Sequence, residues 1–195
     1  MKPLKRKQIL EIAEKLFNRF GIRRTGVDEI ARLANVAKGT IYNYFGDKDG
    51  LFRELVRTKI QLFEEVLGKT LLNIKDPIEK VRVTFTEHLK ITVDNPFLSD
   101  SLLYGSYEEK IKSLMEDLEE KTTQTFRKII DVSYAKKLLP TEKRAIVNSL
   151  VFALKGMNET VRNRIEAVNI KKFENEIEYL VKALMPKTGT AVNGK

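Results

Sequence analysis

The chain contains no cysteine and no tryptophan, and its only histidine is His88. Without cysteine there are no disulfides and no thiolate metal sites. A lone histidine, with carboxylates mostly on charged helical faces, assembles neither a metal centre nor a catalytic triad. The adjacent acidic pairs Glu64-Glu65, Glu108-Glu109 and Glu119-Glu120 fall in helical patterns and read as solvated surface, and no glycine-rich phosphate loop occurs. Catalysis, a metal and a cofactor are therefore not expected. No stretch approaches the roughly 18 uninterrupted apolar residues of a membrane span. The opening MKPLKRKQIL lacks the apolar region of a secretion signal, so the expected location is the cytoplasm. Alternating runs long enough for a strand are missing, as is any internal repeat.

What the chain does have is charge, unevenly placed. Of its 195 residues 42% are hydrophobic and 32% charged, enough apolar material for a core, and the formal net charge is +9. Residues 1–60 hold 14 Lys/Arg against 7 Asp/Glu, while residues 61–195 hold 22 against 20. Most of the excess thus sits at one end, as expected if that end meets a polyanion. Anionic lipid is the other partner such a segment could meet; the turn chemistry that follows favours nucleic acid.

Two short helical patterns lie within TGVDEIARLANVAKGTIYNYFGDKDGLF, residues 25–52. In the first, Val27, Ile30, Ala31 and Ala34 repeat at the spacing of one buried helical stripe. Asn35 then tolerates the left-handed conformation that stops a helix. The second runs Lys38 to Phe45, with Ile41 and Phe45 as inward anchors. Two helices joined by so tight a corner form a helix-turn-helix, whose second helix can enter the DNA major groove. Opposite Ile41 lie Gly39 and Asn43, flanked by Thr40 and Tyr42. Asn can read adenine edges, Thr can meet a base or a thymine methyl, and Gly permits close backbone approach. The hydroxyls of Tyr42 and Tyr44 can reach phosphates, and Lys38 and Lys48 bracket the helix with positive charge. With Thr25 at the start of the motif, these eight residues form the predicted DNA-binding set.

VDEIARLANVAKGTIYNYFGDKDGLF closely resembles the DNA-binding signature of the TetR-like (tetracycline-repressor-like) bacterial transcription regulators. The D-E-I-A start, V-A-K-G-T at the turn, the Y-x-Y-F end, and Lys48 followed by Leu51 carry the likeness. It covers residues 5 to about 60; beyond them the likeness is one of length and helical layout. Members often carry Ser or Thr where Gly26 stands, and Gly or Ser where Asn35 and Ala37 stand. Gly26 remains an acceptable N-cap. Ala37 offers no hydroxyl to a phosphate, so that contact is not carried over.

The remaining signals predict an all-α chain of about nine helices. A first helix spans about Lys5 to Phe20 and ends at Gly21. Lys2, Lys5, Arg6 and Lys7 precede or open it, as a mobile basic arm or as a solvated charge run. After Asp47 a long fourth helix runs from Lys48 to about Asn73, on the order of 40 Å, the evident mechanical link between the two halves. Asp76-Pro77 starts a fifth helix to Val93. Asn95-Pro96 starts a short sixth ending near Tyr104, and Ser106 opens a seventh to about Ile130. Pro140 precedes an eighth to about Val168, and a ninth runs from Lys171 to Met185. The expected organisation is a helix-turn-helix domain over residues 1–47, a helical regulatory and dimerisation domain over 48–186, and a disordered tail over 187–195.

Leu150, Ala153, Met157 and Val161 on the eighth helix make an apolar stripe, as do Phe173, Ile177, Leu180, Val181 and Leu184 on the ninth. They form either a surface for a second copy or part of the chain's own core. The dimer reading gains because sites for this fold are typically two-fold symmetric, and TetR-like proteins pair through their last two long helices. The resemblance also implies an effector pocket among helices four to eight. Its candidate lining is Phe63, Phe85, His88, Phe97, Leu103, Tyr104, Tyr107, Phe126 and Phe152, although aromatics at helical spacing are more often plain core packing. The set suits an apolar or aromatic ligand, with His88, Tyr104 or Tyr107 as polar handles. The leading reading is a homodimeric repressor of a palindromic operator, released by a small molecule. The alternatives are the same DNA-binding fold controlled by a protein or acting architecturally, and a module that does not bind DNA.

Overall fold

The structure, a computed structural model, describes residues 2–95, 108–163 and 170–185. Eight helices lie among them: α1 (Lys2–Arg24), α2 (Val27–Leu33), α3 (Lys38–Phe45), α4 (Lys48–Leu72), α5 (Pro77–Val93), α6 (Glu108–Ser133), α7 (Pro140–Asn163) and α8 (Ile170–Leu184). The described residues include no strand. The short helix predicted near 96–104, the cap at Ser106, the end of the eighth predicted helix and the tail lie outside the described residues.

Helix boundaries follow local chemistry. Gly21, at φ 76° and ψ 161°, breaks the regular path of α1 where the sequence places the helix end, and a last half-turn continues to Arg24. The basic stretch at the start is not an arm, since it is already helical from Lys2. Asp76 caps α5 by accepting from the Ile78 amide at 3.2 Å, with Pro77 in the first turn, where its missing N–H costs nothing. At the start of α7 the Leu139 amide donates to the Glu142 carboxylate at 2.6 Å, half of a capping box.

The chain divides into two compact units, Met1–Leu62 with Asn95–Glu116 and Phe63–Asp94 with Asp117–Lys195, and α4 contributes residues to both. In the first, α1 packs on α2 and α2 on α3. Ile9, Ala13, Phe17, Ile30, Ile41, Leu51 and Phe52 are all but fully buried, with the Phe17 and Phe52 rings edge to face at 5.6 Å. Lys59 and Glu14, 2.6 Å apart and largely covered, tie α4 to α1. In the second, α5 packs against α7 and α8 around Phe85, Leu89, Phe126, Tyr134, Leu150, Leu154, Ile177 and Val181.

Candidate nucleic-acid interface

The turn between α2 and α3 is closed by a backbone hydrogen bond. Asn35 takes φ 51°, and the Val36 amide returns to the Ala31 carbonyl at 3.0 Å, satisfying a carbonyl that the helix end leaves open. Ala37 is extended and begins α3 without a side-chain cap. Ile41, 0% exposed, anchors the helix, and rotation by 100° per residue then turns Gly39, Tyr42 and Asn43 outward. Thr40 and Tyr44 are half-buried at the margins of this face. Lys38 sits 2.8 Å from Asp28, and this hydrogen bond raises its ammonium pKa. The pair joins the first turns of α2 and α3 and offsets a cation at a helix N-terminus.

Two members of the predicted DNA set make structural contacts at the end of α1. Thr25 is 1% exposed, and its hydroxyl lies 2.8 Å from the Gly21 carbonyl and 3.3 Å from that of Leu16. The Lys48 ammonium donates to the Thr25 carbonyl at 2.8 Å and reaches that of Arg23 at 3.4 Å, and burial pushes its pKa down. Both side chains therefore satisfy carbonyls freed where α1 ends, the place where a basic group suits a helix dipole. They tie the end of α1 to the start of α4 behind α3.

Sequence reasoning missed two parts of that frame. Arg6 pairs with Glu54 of α4 and places its guanidinium over the Phe45 ring, 5.6 Å from the centroid, so α1 grips the end of α3. The signal was its register with Ile9, Ala13 and Phe17 on the inner face. Gly50 is the other part. A Cβ there would stand 1.9 Å from the Phe45 carbonyl oxygen, so only glycine lets the first turn of α4 pass the end of α3. The Asp47 carboxylate accepts from the Gly50 amide at 2.5 Å and caps the same turn.

In the second unit the predicted pocket residues separate. Phe97, Leu103, Tyr104 and Tyr107 lie outside the described residues. Phe85 and Phe126 are 0% exposed and pack ring to ring at 4.9 Å. His88, also fully buried, meets the Phe63 ring edge-on at 6.0 Å. The Thr122 hydroxyl donates to the Leu118 carbonyl at 2.9 Å, so it accepts from His88 Nδ1–H at 2.9 Å. That leaves Nε2 to accept from the Asn158 amide at 3.1 Å. This neutral tautomer is held by burial, which lowers the imidazole pKa to about 4. Phe152 does not line the interior: it is 81% exposed on α7.

The predicted interface stripe mostly faces inward as well. Leu150, Val161, Phe173, Ile177 and Val181 are buried in the chain's own core, and Ala153, Met157, Leu180 and Leu184 are partly buried against it. The outward face of α7 instead carries Ala145, Ser149, Phe152 and Gly156, and that of α8 carries Tyr179, 78% exposed, and Ala183. No group of three or more His, Cys, Asp or Glu able to hold a metal occurs among the described residues, and none of their helices is long and apolar enough to cross a membrane.

A tightly cornered helix pair presenting a small, polar and aromatic face has the form of a helix-turn-helix. Residues 9–55 match the family described as bacterial regulatory proteins, tetR family. Over these residues the chain is similar to the TetR-like regulators of transcription. It is 47% identical over 57 residues to the HTH-type transcriptional regulator YhgD of Bacillus subtilis, a match covering 29% of this chain and only 30% of YhgD. The regulator BetI of Burkholderia cenocepacia is 23% identical over 159 residues, covering 80% of this chain and 81% of BetI. Among solved structures, the transcriptional regulator FadR from Bacillus subtilis in complex with stearoyl-CoA superposes with a TM-score of 0.72 at 17% identity. That alignment covers 92% of this chain and 99% of FadR.

Proposed function

We propose that the protein is a homodimeric repressor that reads a two-fold symmetric operator with α3 and is released by a small, largely apolar ligand held in its second unit. The observation that carries this reading is the outward face of α3, where Gly39, Tyr42 and Asn43 stand exposed on a helix anchored by Ile41. Asn43 is the base-reading side chain, Tyr42 and Tyr44 position phosphates, and Gly39 permits close approach. Thr25 and Lys48 support this face from behind.

The ligand half of the reading is supported by α4. One continuous helix carries Lys48, bonded to the end of α1, and about four turns further on Phe63, packed on His88. A ligand that favours one packing of Phe63 would bias the tilt of α4, and with it the spacing of two recognition helices on a fixed operator. FadR, which shares this fold, is in complex with stearoyl-CoA, and the long apolar acyl chain of that ligand supports the reading.

Pairing would use the outward faces of α7 and α8, where Phe152 and Tyr179 are exposed and Gly156 leaves room for close approach. The test is sedimentation of the full chain together with operator titration. Wild type should sediment as a dimer. Phe152→Glu combined with Tyr179→Glu should give monomers of unchanged helical content that bind the operator at least tenfold more weakly. A double variant that remains dimeric would place the interface elsewhere.

A further inference from the structure

Glycine inside a helix destabilises it relative to alanine, so a helical glycine calls for a reason. Gly50 has one in the Phe45 carbonyl. Gly39, Gly68 and Gly156 have none among the described residues, for a Cβ on any of them would meet no neighbouring atom of those residues within 4 Å. Gly39 lies on the face assigned to DNA and Gly156 on the face assigned to a second copy. Gly68, in the body of α4, lies on neither. It opens instead into a groove of about 550 Å³ bounded by α4, α5 and α6, within the range of roughly 300–1,000 Å³ typical of small-molecule sites.

The lining of this groove has a definite chemistry. Phe63, Leu67 and Ile129, each less than 10% exposed, give it an apolar floor that Leu71 extends. Three lysines line it as well. Lys121 is already paired with Glu64 at 2.8 Å and Asp117 at 3.5 Å. Lys80 of α5 and Lys128 of α6 have no carboxylate partner among the described residues, although the same unit pairs many of its other lysines. An apolar trough with two uncompensated cations beside it complements one kind of molecule.

We propose that this groove binds a straight alkyl chain ending in an anionic head, a carboxylate or a phosphate monoester. The chain lies over Gly68 along Leu67 and Ile129, and the head is held between Lys80 and Lys128. Of the described residues predicted from sequence to line a pocket, only Phe63 borders the groove, and its ring also touches His88. The inference rests on the ligand-controlled reading only for its regulatory consequence; occupancy of the groove stands on the lining itself.

The test is calorimetric titration of the full chain with decanoate, decyl phosphate and decanol. One or both anions should bind at one per chain, and the tighter head identifies the source. Decanol should bind at least tenfold more weakly. Lys80→Gln with Lys128→Gln should reduce the anion's affinity to that of decanol. Gly68→Leu, which fills open space, should abolish binding while melting at or above the wild-type temperature. Absence of binding by either anion, or binding that both variants leave unchanged, would overturn the proposal. Binding that leaves operator affinity unaltered would support the groove and refute the ligand-released repressor, so the two readings fail separately.

Discussion

The two units handle polar groups in opposite ways. In the first, polar side chains brace an exposed surface. Arg6 holds Glu54 and Phe45, Lys38 holds Asp28, and Lys48 and Thr25 close the end of α1. Together they fix the helix proposed to read DNA. In the second, polar groups are enclosed. His88, Thr122 and Asn158 form a buried chain of hydrogen bonds inside an apolar core, and the Asn158 side-chain oxygen has no partner among the described residues. A braced surface suits a rigid reader. An enclosed, incompletely satisfied cluster suits a region whose packing responds to what enters it, because a buried polar atom without a partner gains from any donor supplied.

Breaking the brace should have the largest effect. Gly50→Ala forces a Cβ onto a backbone oxygen, and because backbone cannot rotate away, the cost should be about 3 kcal/mol or more. Urea unfolding should show that loss, accompanied by loss of DNA binding. A variant of wild-type stability would mean that the α3–α4 corner is looser than its geometry indicates.

Titration sharpens the comparison from the other side. The His88 pKa is about 4 in the folded chain, below the unperturbed value near 6.5. Between those values the unfolded chain binds the extra proton. The stabilisation from neutral His88 is therefore complete above about pH 6.5 and is lost as pH falls towards 4, by on the order of 3 kcal/mol at most. Melting temperatures from pH 7 to 4 should fall more steeply for wild type than for His88→Gln. Parallel curves would mean that the imidazole is already solvated in the native state.

The first unit was the more legible of the two. Asn35 and Gly21 end helices because few residues accept a positive φ, a property of the residue itself and so visible in sequence. The inward stripe through Ile30, Ala31 and Ile41 followed from period alone. The carbonyl contacts of Thr25 and Lys48 were not legible, because a hydroxyl or an ammonium beside a helix-turn-helix reads the same whether it faces a phosphate or a carbonyl. In the second unit period was not enough. Leu150 and Phe152 both lie on apolar stripes of α7, and sequence spacing does not say which stripe meets the chain's own α5 and α8. The structure buries Leu150 and exposes Phe152. The groove beside Gly68 was invisible for a related reason: its lysines and leucines come from three separate helices and share no motif.

The central claim is that α3 reads DNA while the residues behind it only hold it. Selection of bound sites from random duplexes tests this directly, using wild type, Asn43→Ala and Thr25→Ala. Wild type should enrich a palindrome with half-sites about one helical turn (~34 Å) apart or a multiple of it. Asn43→Ala should lose preference at one or two base pairs per half-site, a discrimination worth roughly 1–3 kcal/mol each. Thr25→Ala should keep the wild-type preference at reduced stability. Enrichment of no symmetric site, or a changed base preference in Thr25→Ala with none in Asn43→Ala, would contradict the account.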